Sequence, residues 1–207
     1  MGLGRADEGG TAAVVLAAGA GSRFAGPGRK LTSALPGGDT LAARAVRTAI
    51  DAAIGPVAVV VGPVPAAELE LPGQVTAVVN ERWPAGQATS LLAAVLWARS
   101  RGHSAIVVGL GDQPGLTAAA WRAVAGTKVT PMAVATYDGH RAHPVRLAAE
   151  VWPDLPAEGD EGARSYLRSR PELVTEVACE GDPADIDTVD DLAAWMAADH
   201  GPPPGPR

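Results

Sequence analysis

Two cations follow a glycine-rich turn near the start of the chain. An apolar run at residues 12–18 leads directly into Gly19-Ala20-Gly21-Ser22, and Arg23 and Lys30 follow within a dozen residues. Glycine and alanine let the backbone bend tightly and approach a ligand closely, so that its N–H groups can point at an anion. The turn and the two cations are therefore predicted to hold the phosphates of a nucleoside triphosphate.

A carboxylate occupies a comparable place further along the chain. Asp112 follows the apolar run at residues 105–110, within Gly111-Asp112-Gln113-Pro114. In an open α/β sheet, ligands bind at the carboxyl ends of the strands, so Asp112 and the first turn should face the same crevice. Mg²⁺ takes one or two carboxylates together with phosphate oxygens. Asp112 is thus a candidate metal ligand; the alternative is that it caps the helix that follows.

The elements that must position these residues alternate between strand and helix. Continuous apolar runs, which are typical of parallel strands covered on both faces, also occur at residues 57–61 and 75–79. Helical patterns lie at residues 40–54, with Asp39 or Thr40 as a cap, and at residues 87–101. This alternation predicts an α/β fold with a mostly parallel, Rossmann-like central sheet flanked by helices.

The second half of the chain is less regular. We expect strands at residues 132–137 and 173–179, and helices at residues 116–124, 163–168 and 188–196. No internal repeat or domain linker is evident, so residues 11–199 are predicted to form a single domain. The segments 1–10 and 200–207 are predicted to be flexible tails.

Composition excludes several classes of protein. The chain has 207 residues and a net charge of −6, which argues against nucleic acid as the main partner. No apolar run approaches the length of a membrane span. Cys179 is the only cysteine, so no internal disulfide can form and a reducing compartment is the simplest assumption. Asp7 and Glu8 make the leader unlike a secretory signal. A cytoplasmic location is expected.

Six short blocks of sequence occur in an order that matches one family. They are Leu16-Ala17-Ala18-Gly19-x-Gly21-x-Arg23 with Lys30, Asn80-x-x-Trp83-x-x-Gly86-Gln87-x-Thr89-Ser90-Leu91, Gly111-Asp112-Gln113-Pro114, His143-Pro144-Val145, Gly159-Asp160-x-Gly162-Ala163-Arg164 and Asp185-Ile186-Asp187-Thr188. Together they resemble the nucleotidyltransferases of molybdenum-cofactor maturation, the MobA/MocA-like NTP transferase family. Within it, they most resemble the molybdenum cofactor cytidylyltransferases.

The resemblance implies a Mg²⁺-dependent transfer of CMP. A phosphate of molybdopterin, the organic part of the molybdenum cofactor, would attack the α-phosphorus of CTP. Pyrophosphate would leave, and molybdopterin cytosine dinucleotide would form. Such a reaction needs positioning and charge neutralisation more than covalent help from the protein. The partners implied are CTP and molybdopterin, and the resemblance leaves room for an apo-molybdoenzyme as a further partner.

The resemblance also implies roles for individual residues. Arg23, Lys30 and Asp112 would be catalytic, and Asp112 and Asp187 would hold the metal. Asp185 competes with Asp187, and either could instead cap the last helix. Thr89 and Ser90 would approach the base and ribose, or act only as local capping groups. The predicted nucleotide-binding residues are Leu16, Ala17, Ala18, Gly19, Ala20, Gly21, Ser22, Arg23, Lys30, Gly86, Thr89, Ser90 and Asp112. The predicted acceptor-binding residues are His143, Pro144, Gly162 and Arg164.

The choice of base depends on one methyl group. The cytidylyltransferases that the chain resembles carry Leu-Ala-Ala-Gly in the first turn, whereas their guanylyl relatives carry Leu-Ala-Gly-Gly. Ala18 therefore points to CTP, although a methyl group is worth only about 1–3 kcal/mol of discrimination. The alternatives are a GTP-dependent molybdenum cofactor guanylyltransferase, a nucleotidyltransferase for a sugar or alcohol phosphate, and a non-catalytic molybdenum cofactor chaperone.

Overall fold

A computed structural model describes residues 9–26 and 28–198 of the protein. Its strands are β1 (Thr11–Ala17), β2 (Val57–Val61), β3 (Val75–Val79), β4 (Ala105–Leu110), β5 (Met132–Tyr137), β6 (His140–Ala148) and β7 (Val174–Ala178). Its α-helices are α1 (Leu41–Asp51), α2 (Gln87–Ser100), α3 (Ala118–Gly126), α4 (Arg164–Ser169) and α5 (Val189–Ala197). None of the described helices is long and apolar enough to cross a bilayer.

The seven strands form one mixed sheet in the order β3-β2-β1-β4-β6-β5-β7. The pairs β3–β2, β2–β1, β1–β4 and β5–β7 are parallel, and β6 is antiparallel to both of its neighbours. The prediction of a mostly parallel sheet in an α/β fold is confirmed.

Two apolar layers cover the sheet, one on each face. Alternate residues of β1 divide between them: Ala13, Val15 and Ala17 pack with α1 and α3, whereas Val14 and Leu16 pack with α2. Both faces of β1 are therefore buried, which is why its sequence is a continuous apolar run rather than an alternating one. The same arrangement brings the carboxyl ends of β1 and β4 side by side, because Leu16 pairs with Leu110.

Strand β6 was missed by the sequence prediction, which placed no strand between residues 137 and 173. Proline lacks the N–H that a central strand donates, so its presence normally argues against a strand. Here Val145 pairs with Val134 of β5, but the next pair joins Ala142 to Ala135. His143 and Pro144 thus form a bulge opposite no residue of β5. The bulge explains why a proline is tolerated in the middle of the sheet.

Of the residues assigned to flexible tails, the structure describes only Gly9 and Gly10. Gly9 donates a backbone hydrogen bond to Gly102 O, and Gly10 O accepts one from Ser104. These two residues, which the sequence analysis assigned to a flexible tail, are therefore tied to the turn before β4. The other residues assigned to the tails, 1–8 and 200–207, lie outside the described residues, as does residue 199 at the edge of the predicted domain.

Candidate active site

A cavity of about 480 Å³ opens at the carboxyl ends of β1 and β4. It gathers residues from five of the six sequence blocks. Those lining it are Leu16, Ala18, Gly19, Ala20, Gly21, Ser22, Arg23, Lys30, Trp83, Pro84, Gly86, Gln87, Ser90, Leu110, Asp112, Asp160, Arg164, Asp185 and Asp187. Ala17 lies in the core beside the cavity and does not line it.

The turn after β1 presents its backbone to the cavity. Gly21 has a φ of +62°, and a Cβ there would lie 3.3 Å from Lys30 Cβ, so glycine lets this turn pass close to the lysine. Within the described part of the chain, no carbonyl accepts a hydrogen bond from the N–H groups of residues 19–22. These groups are available to an anion, as the sequence analysis expects of a phosphate-binding turn.

Four charged side chains meet at one wall of the cavity. Lys30 Nζ lies 2.6 Å from Asp112 Oδ2 and 3.1 Å from Asp187 Oδ1. Arg23 Nη1 lies 3.0 Å from the other oxygen of Asp187. Lys30 is only 9% exposed, whereas Arg23 is 76% exposed. Burial works to lower the pKa of Lys30, but the two carboxylates outweigh it and the pKa is raised, so the ammonium stays charged.

This cluster fits a divalent cation. Two carboxylates already converge on one positive centre, the Lys30 ammonium, and Mg²⁺ uses one or two carboxylates with phosphate oxygens. Among residues 9–26 and 28–198 no group of three or more His, Cys, Asp or Glu could hold a metal. Asp112 and Asp187 would therefore need oxygen ligands from a substrate or from water.

The capping alternatives for the aspartates are wrong. Helix α3 is capped by Thr117, whose hydroxyl accepts from Ala120 N. Helix α5 is capped by Thr188, which forms a reciprocal capping box with Asp191. Neither Asp112, Asp185 nor Asp187 therefore serves as a helix cap.

Asp185 also lines the cavity, but it makes no ion pair with Lys30. Burial raises its pKa, and the negative charges of Asp112 and Asp187 add to the effect. Of the two late aspartates, Asp187 is the one that shares a cation with Asp112.

The start of α2 forms the opposite wall. Gly86 has a φ of +101°, and a Cβ there would come within 2.5 Å of the Gly159 carbonyl. Two hydrogen bonds fix that approach, from Gly159 N to Ala85 O at 3.0 Å and from Ala88 N to Gly159 O at 2.9 Å. The two sequence blocks that contain Gly86 and Gly159 are thereby joined.

Thr89 and Ser90, the two residues whose hydroxyls were predicted to approach the nucleotide, differ in whether they line the cavity. Ser90 lines the cavity, whereas Thr89 is 3% exposed and does not line it. The Thr89 hydroxyl lies 2.8 Å from Gly86 O and acts on the backbone of its own helix start. The structure therefore separates this pair: Thr89 donates to carbonyl groups at its own helix start without capping α2, whereas Ser90 lies at the cavity.

A second cavity, of about 90 Å³, adjoins the first and shares Leu16, Gln87 and Arg164 with it. Charged and polar residues lie along part of it. Its lining is otherwise mainly aliphatic and includes Leu91, Val108, Val134, Val145, Leu147 and Leu167. We call it the side cavity. It opens next to the bulge of β6.

Three of the four predicted acceptor residues, His143, Gly162 and Arg164, line the side cavity. Pro144 is buried in the sheet and does not. Burial lowers the pKa of His143 to about 4, and the positive charge of Arg164 adds to the effect, so the imidazole is neutral at pH 7. A phosphate contact from His143 would therefore come from a neutral ring.

Several lining residues were given no role in the site by the sequence analysis, although all of them lie within the sequence blocks. Gln87 borders both cavities, and Trp83, Pro84 and Asp160 line the larger one. Each stands within three residues of a predicted site residue, so proximity along the chain was the available signal.

Comparison with known proteins identifies one matching family model and one similar relative. Residues 13–174 match a family model described as a MobA-like NTP transferase domain. The nicotine blue oxidoreductase of Paenarthrobacter nicotinovorans is 34% identical over 197 residues, covering 86% of this chain and 93% of the relative.

Two solved structures have the same fold. One is a homologue, from Mycobacterium sp. strain JC1, of Rv0371c of Mycobacterium tuberculosis. It is 30% identical, with a TM-score of 0.77 over 90% of this chain and 95% of that one. The other is Rv0371c of M. tuberculosis H37Rv in complex with manganese. It is 26% identical, with a TM-score of 0.74 over 92% of this chain and 99% of that one.

Proposed function

The chain belongs to the MobA-like NTP transferase family and is a nucleotidyltransferase, and from this premise we propose that it transfers CMP from CTP to the phosphate of molybdopterin. Pyrophosphate leaves and molybdopterin cytosine dinucleotide forms. The observation that carries the proposal is the cluster of Lys30, Asp112 and Asp187 beside a turn with free N–H groups. Arg164 marks the border between this cavity and the side cavity.

The residues on the cavity wall have a direct part in such a transfer. An oxygen of the acceptor phosphate forms a bond to the α-phosphorus, and the bond between that phosphorus and the bridging oxygen to the β-phosphate breaks. Negative charge accumulates on the leaving pyrophosphate. The turn after β1, together with Lys30 and Arg23, would neutralise that charge and hold the phosphates in line. Such positioning supplies most of the catalysis in phosphoryl and nucleotidyl transfer.

The metal proposed is Mg²⁺, held by Asp112 and Asp187. The pair of carboxylates on one cation supports this, and Rv0371c, at 26% identity, has been solved with manganese. When bound, the ion would supply positive charge that offsets the negative charge of the phosphates. Lys30 and Arg23, now paired with the aspartates, would then turn to the phosphates.

The choice of CTP is supported by Ala18. Ala18 lines the larger cavity at the position where the guanylyl relatives carry glycine. The acceptor is proposed to reach the nucleotide from the side cavity, with its phosphate beside Arg164. His143, Gly162 and Arg164 line that approach.

The proposal is tested by product mass. The protein is incubated with Mg²⁺, molybdopterin and each of CTP, GTP, ATP and UTP, and the products are read by mass spectrometry together with released pyrophosphate. Molybdopterin cytosine dinucleotide with CTP alone supports the proposal. A guanosine product selects the guanylyl alternative. Product with a sugar or alcohol phosphate, and none with molybdopterin, selects another acceptor. Tight molybdopterin binding without pyrophosphate selects the chaperone.

A second candidate is an oxidoreductase. It is favoured by the 34% identity to the nicotine blue oxidoreductase over 93% of that protein. This activity is tested by anaerobic incubation with nicotine blue and NADH or NADPH, followed by visible absorbance. Bleaching of the dye without pyrophosphate release in the first assay would replace the transferase proposal.

A further inference from the structure

A buried amide and two hydroxyls form a small network behind the start of α2. Asn80 follows β3 and is 5% exposed. Its side-chain nitrogen Nδ2 lies 2.9 Å from Thr89 Oγ1 and 2.9 Å from Ser90 Oγ. Its oxygen Oδ1 lies 3.0 Å from Arg82 N. One amide thus contacts both hydroxyls and one backbone N–H.

The backbone N–H of Arg82 fixes the orientation of this amide. A backbone N–H can only donate, so the atom of Asn80 that faces Arg82 must be the oxygen. The NH₂ group of Asn80 then faces Thr89 and Ser90, and both hydroxyls must accept hydrogen bonds from it. The direction of these two bonds follows from chemistry rather than from the choice between amide rotamers.

The hydroxyl groups of Thr89 and Ser90 differ in the acceptors available to them. Thr89 has carbonyl acceptors in its own helix start, Gly86 O at 2.8 Å and Arg82 O at 3.0 Å. Among the residues that the structure describes, the Ser90 hydroxyl accepts from Asn80 and donates to no group. Ser90 is the one of the pair that lines the larger cavity. Its proton is therefore available to a group inside that cavity.

The position of Ser90 indicates which part of a nucleotide it would meet. The charges of the larger cavity lie mainly on the wall formed by the first turn, Lys30 and Asp112. Ser90 stands on the opposite wall, formed by the start of α2, near Trp83 and Gly86. The Asp160 carboxylate lies beside Gly86, so phosphate groups are less favoured on this wall than at the cations of the first turn. A triphosphate whose phosphates lie at Lys30 and the first turn would therefore direct its base towards the wall that carries Ser90.

The sequence analysis already expects Ser90 to approach the base. We propose that Asn80 is the positioning residue that fixes the direction of the Ser90 hydroxyl, so that Ser90 donates a hydrogen bond to an acceptor atom of the bound nucleobase. For cytosine the acceptor is the carbonyl O2 or the ring nitrogen N3. This inference rests on the proposed function, because it requires an NTP in the larger cavity. Asn80 itself does not line that cavity and acts only through Ser90.

The decisive variant is Asn80→Asp. A carboxylate at this position still accepts from Arg82 N, but it has no proton to give to the hydroxyls. It accepts from Ser90 instead, which turns the Ser90 proton away from the cavity and presents lone pairs to the base. A lost hydrogen bond together with an opposed acceptor weakens binding by about 10-fold to 100-fold.

Binding is compared for CTP and for inorganic tripolyphosphate, which has no base, by isothermal titration with Mg²⁺ present. We expect the Kd for CTP divided by the Kd for tripolyphosphate to rise in Asn80→Asp and in Ser90→Ala. The added negative charge in the first variant affects both ligands, so the ratio removes its contribution. Ser100→Ala is the matched control, because Ser100 is exposed at the end of the same helix and donates to Trp97 O.

A double variant tests whether Asn80 acts through Ser90. If it does, Asn80→Asp has no further effect on the ratio once Ser90 is replaced by alanine. If Asn80→Asp fails to fold, Ser90→Ala alone decides, and an unchanged ratio in that variant overturns the inference. Binding of CTP by the wild type with no change of ratio in any variant overturns it and leaves the proposed function standing. Failure of the wild type to bind any NTP overturns both.

Discussion

The two adjoining cavities differ in the surfaces that they present to a ligand. At the charged wall of the larger cavity, Asp112 and Asp187 both pair with Lys30. In the side cavity the surface is mainly aliphatic, and His143 is held neutral by burial and by Arg164. A ligand at the first site would replace ion pairs, whereas a ligand at the second would contact mainly aliphatic side chains, with charged residues along part of the lining.

Arg164 belongs to both cavities and departs from this rule. It makes no ion pair with any described residue, although Arg168, one turn later on α4, pairs with Glu161 at 2.5 Å. An unpaired guanidinium between an ion-exchanging site and an apolar one is placed to receive an anionic group that enters from either side. The difference between the cavities predicts that substitutions at the two sites act on different measured quantities.

The largest expected effect is at the charged wall. Asp112→Asn removes a carboxylate from Lys30 and from the proposed metal, so turnover is expected to fall by about 10²–10³-fold, as for the loss of a main electrostatic group. Pyrophosphate release measures it. Asp190→Asn, at an exposed position of α5, is the control. Turnover close to that of the wild type would show that the carboxylate cluster is not the catalytic centre.

The next effect concerns pH and the side cavity. The pKa of His143 is about 4 in the folded protein, below its ordinary value of 6.5, so the unfolded chain takes up the proton first. The stability that this gives is present above pH 6.5 and is lost as pH falls through 4. It amounts to up to about 3 kcal/mol in the free energy of unfolding.

Denaturant unfolding at pH 7 and pH 4 measures this loss. His143→Gln has no proton to take up and should lose less stability between the two pH values than the wild type. His140→Gln, at an exposed position of the same strand, is expected to behave as the wild type. Equal losses in all three proteins would mean that the side cavity does not hold His143 neutral.

A smaller effect is expected at the border between the cavities. Arg164→Leu should raise the KM for the acceptor by about 10-fold, the amount for one hydrogen bond to a charged group, and leave the Kd for nucleotide almost unchanged. Initial rates at saturating CTP give the first quantity and titration gives the second. Arg99→Leu, an exposed cation on α2, is the control. A parallel rise in both quantities would assign Arg164 to the nucleotide rather than to the acceptor.

The smallest expected effect is a gain in metal affinity when Lys30 is replaced. The Lys30 ammonium stands where the two carboxylates would hold a metal, so Lys30→Met should bind free metal more tightly in the absence of nucleotide, by about 5-fold to 10-fold, even as turnover falls. Titration with Mn²⁺, followed by electron paramagnetic resonance, measures this affinity. Lys128→Met is the exposed control. Weaker metal binding in Lys30→Met would show that Lys30 supports the metal position instead of blocking it.

Much of the fold and the grouping of the site could be predicted from the sequence. Strands buried on both faces leave continuous apolar runs, and Thr40 does cap α1, one of the two positions expected. The carboxyl ends of parallel strands meet at one edge, so Asp112 and the first turn were placed in one crevice before the structure was known. The resemblance to the MobA-like family was confirmed by the family match.

The features that the sequence did not predict depend on side-chain orientation, strand register and backbone geometry at helix ends. Thr89 and Ser90 are neighbours on one helix, yet successive side chains of a helix point about 100° apart, and only Ser90 lines the cavity. The bulge at His143 and Pro144 follows from the register between β5 and β6, which is set by packing across the sheet. Capping by Thr117 and Thr188, and not by an aspartate of the site, likewise required the backbone geometry.

The pair of hydrogen bonds between Gly159 and the turn before α2 has a thermodynamic consequence. The segment that leads into α4, and so to Arg164, cannot shift without the segment that carries Gly86. Under the proposed function, a ligand that restrains one segment would also restrain the other, so the binding of nucleotide and of acceptor would share a coupling free energy. Linkage makes that coupling reciprocal: by whatever factor the nucleotide changes the affinity for the acceptor, the acceptor changes the affinity for the nucleotide.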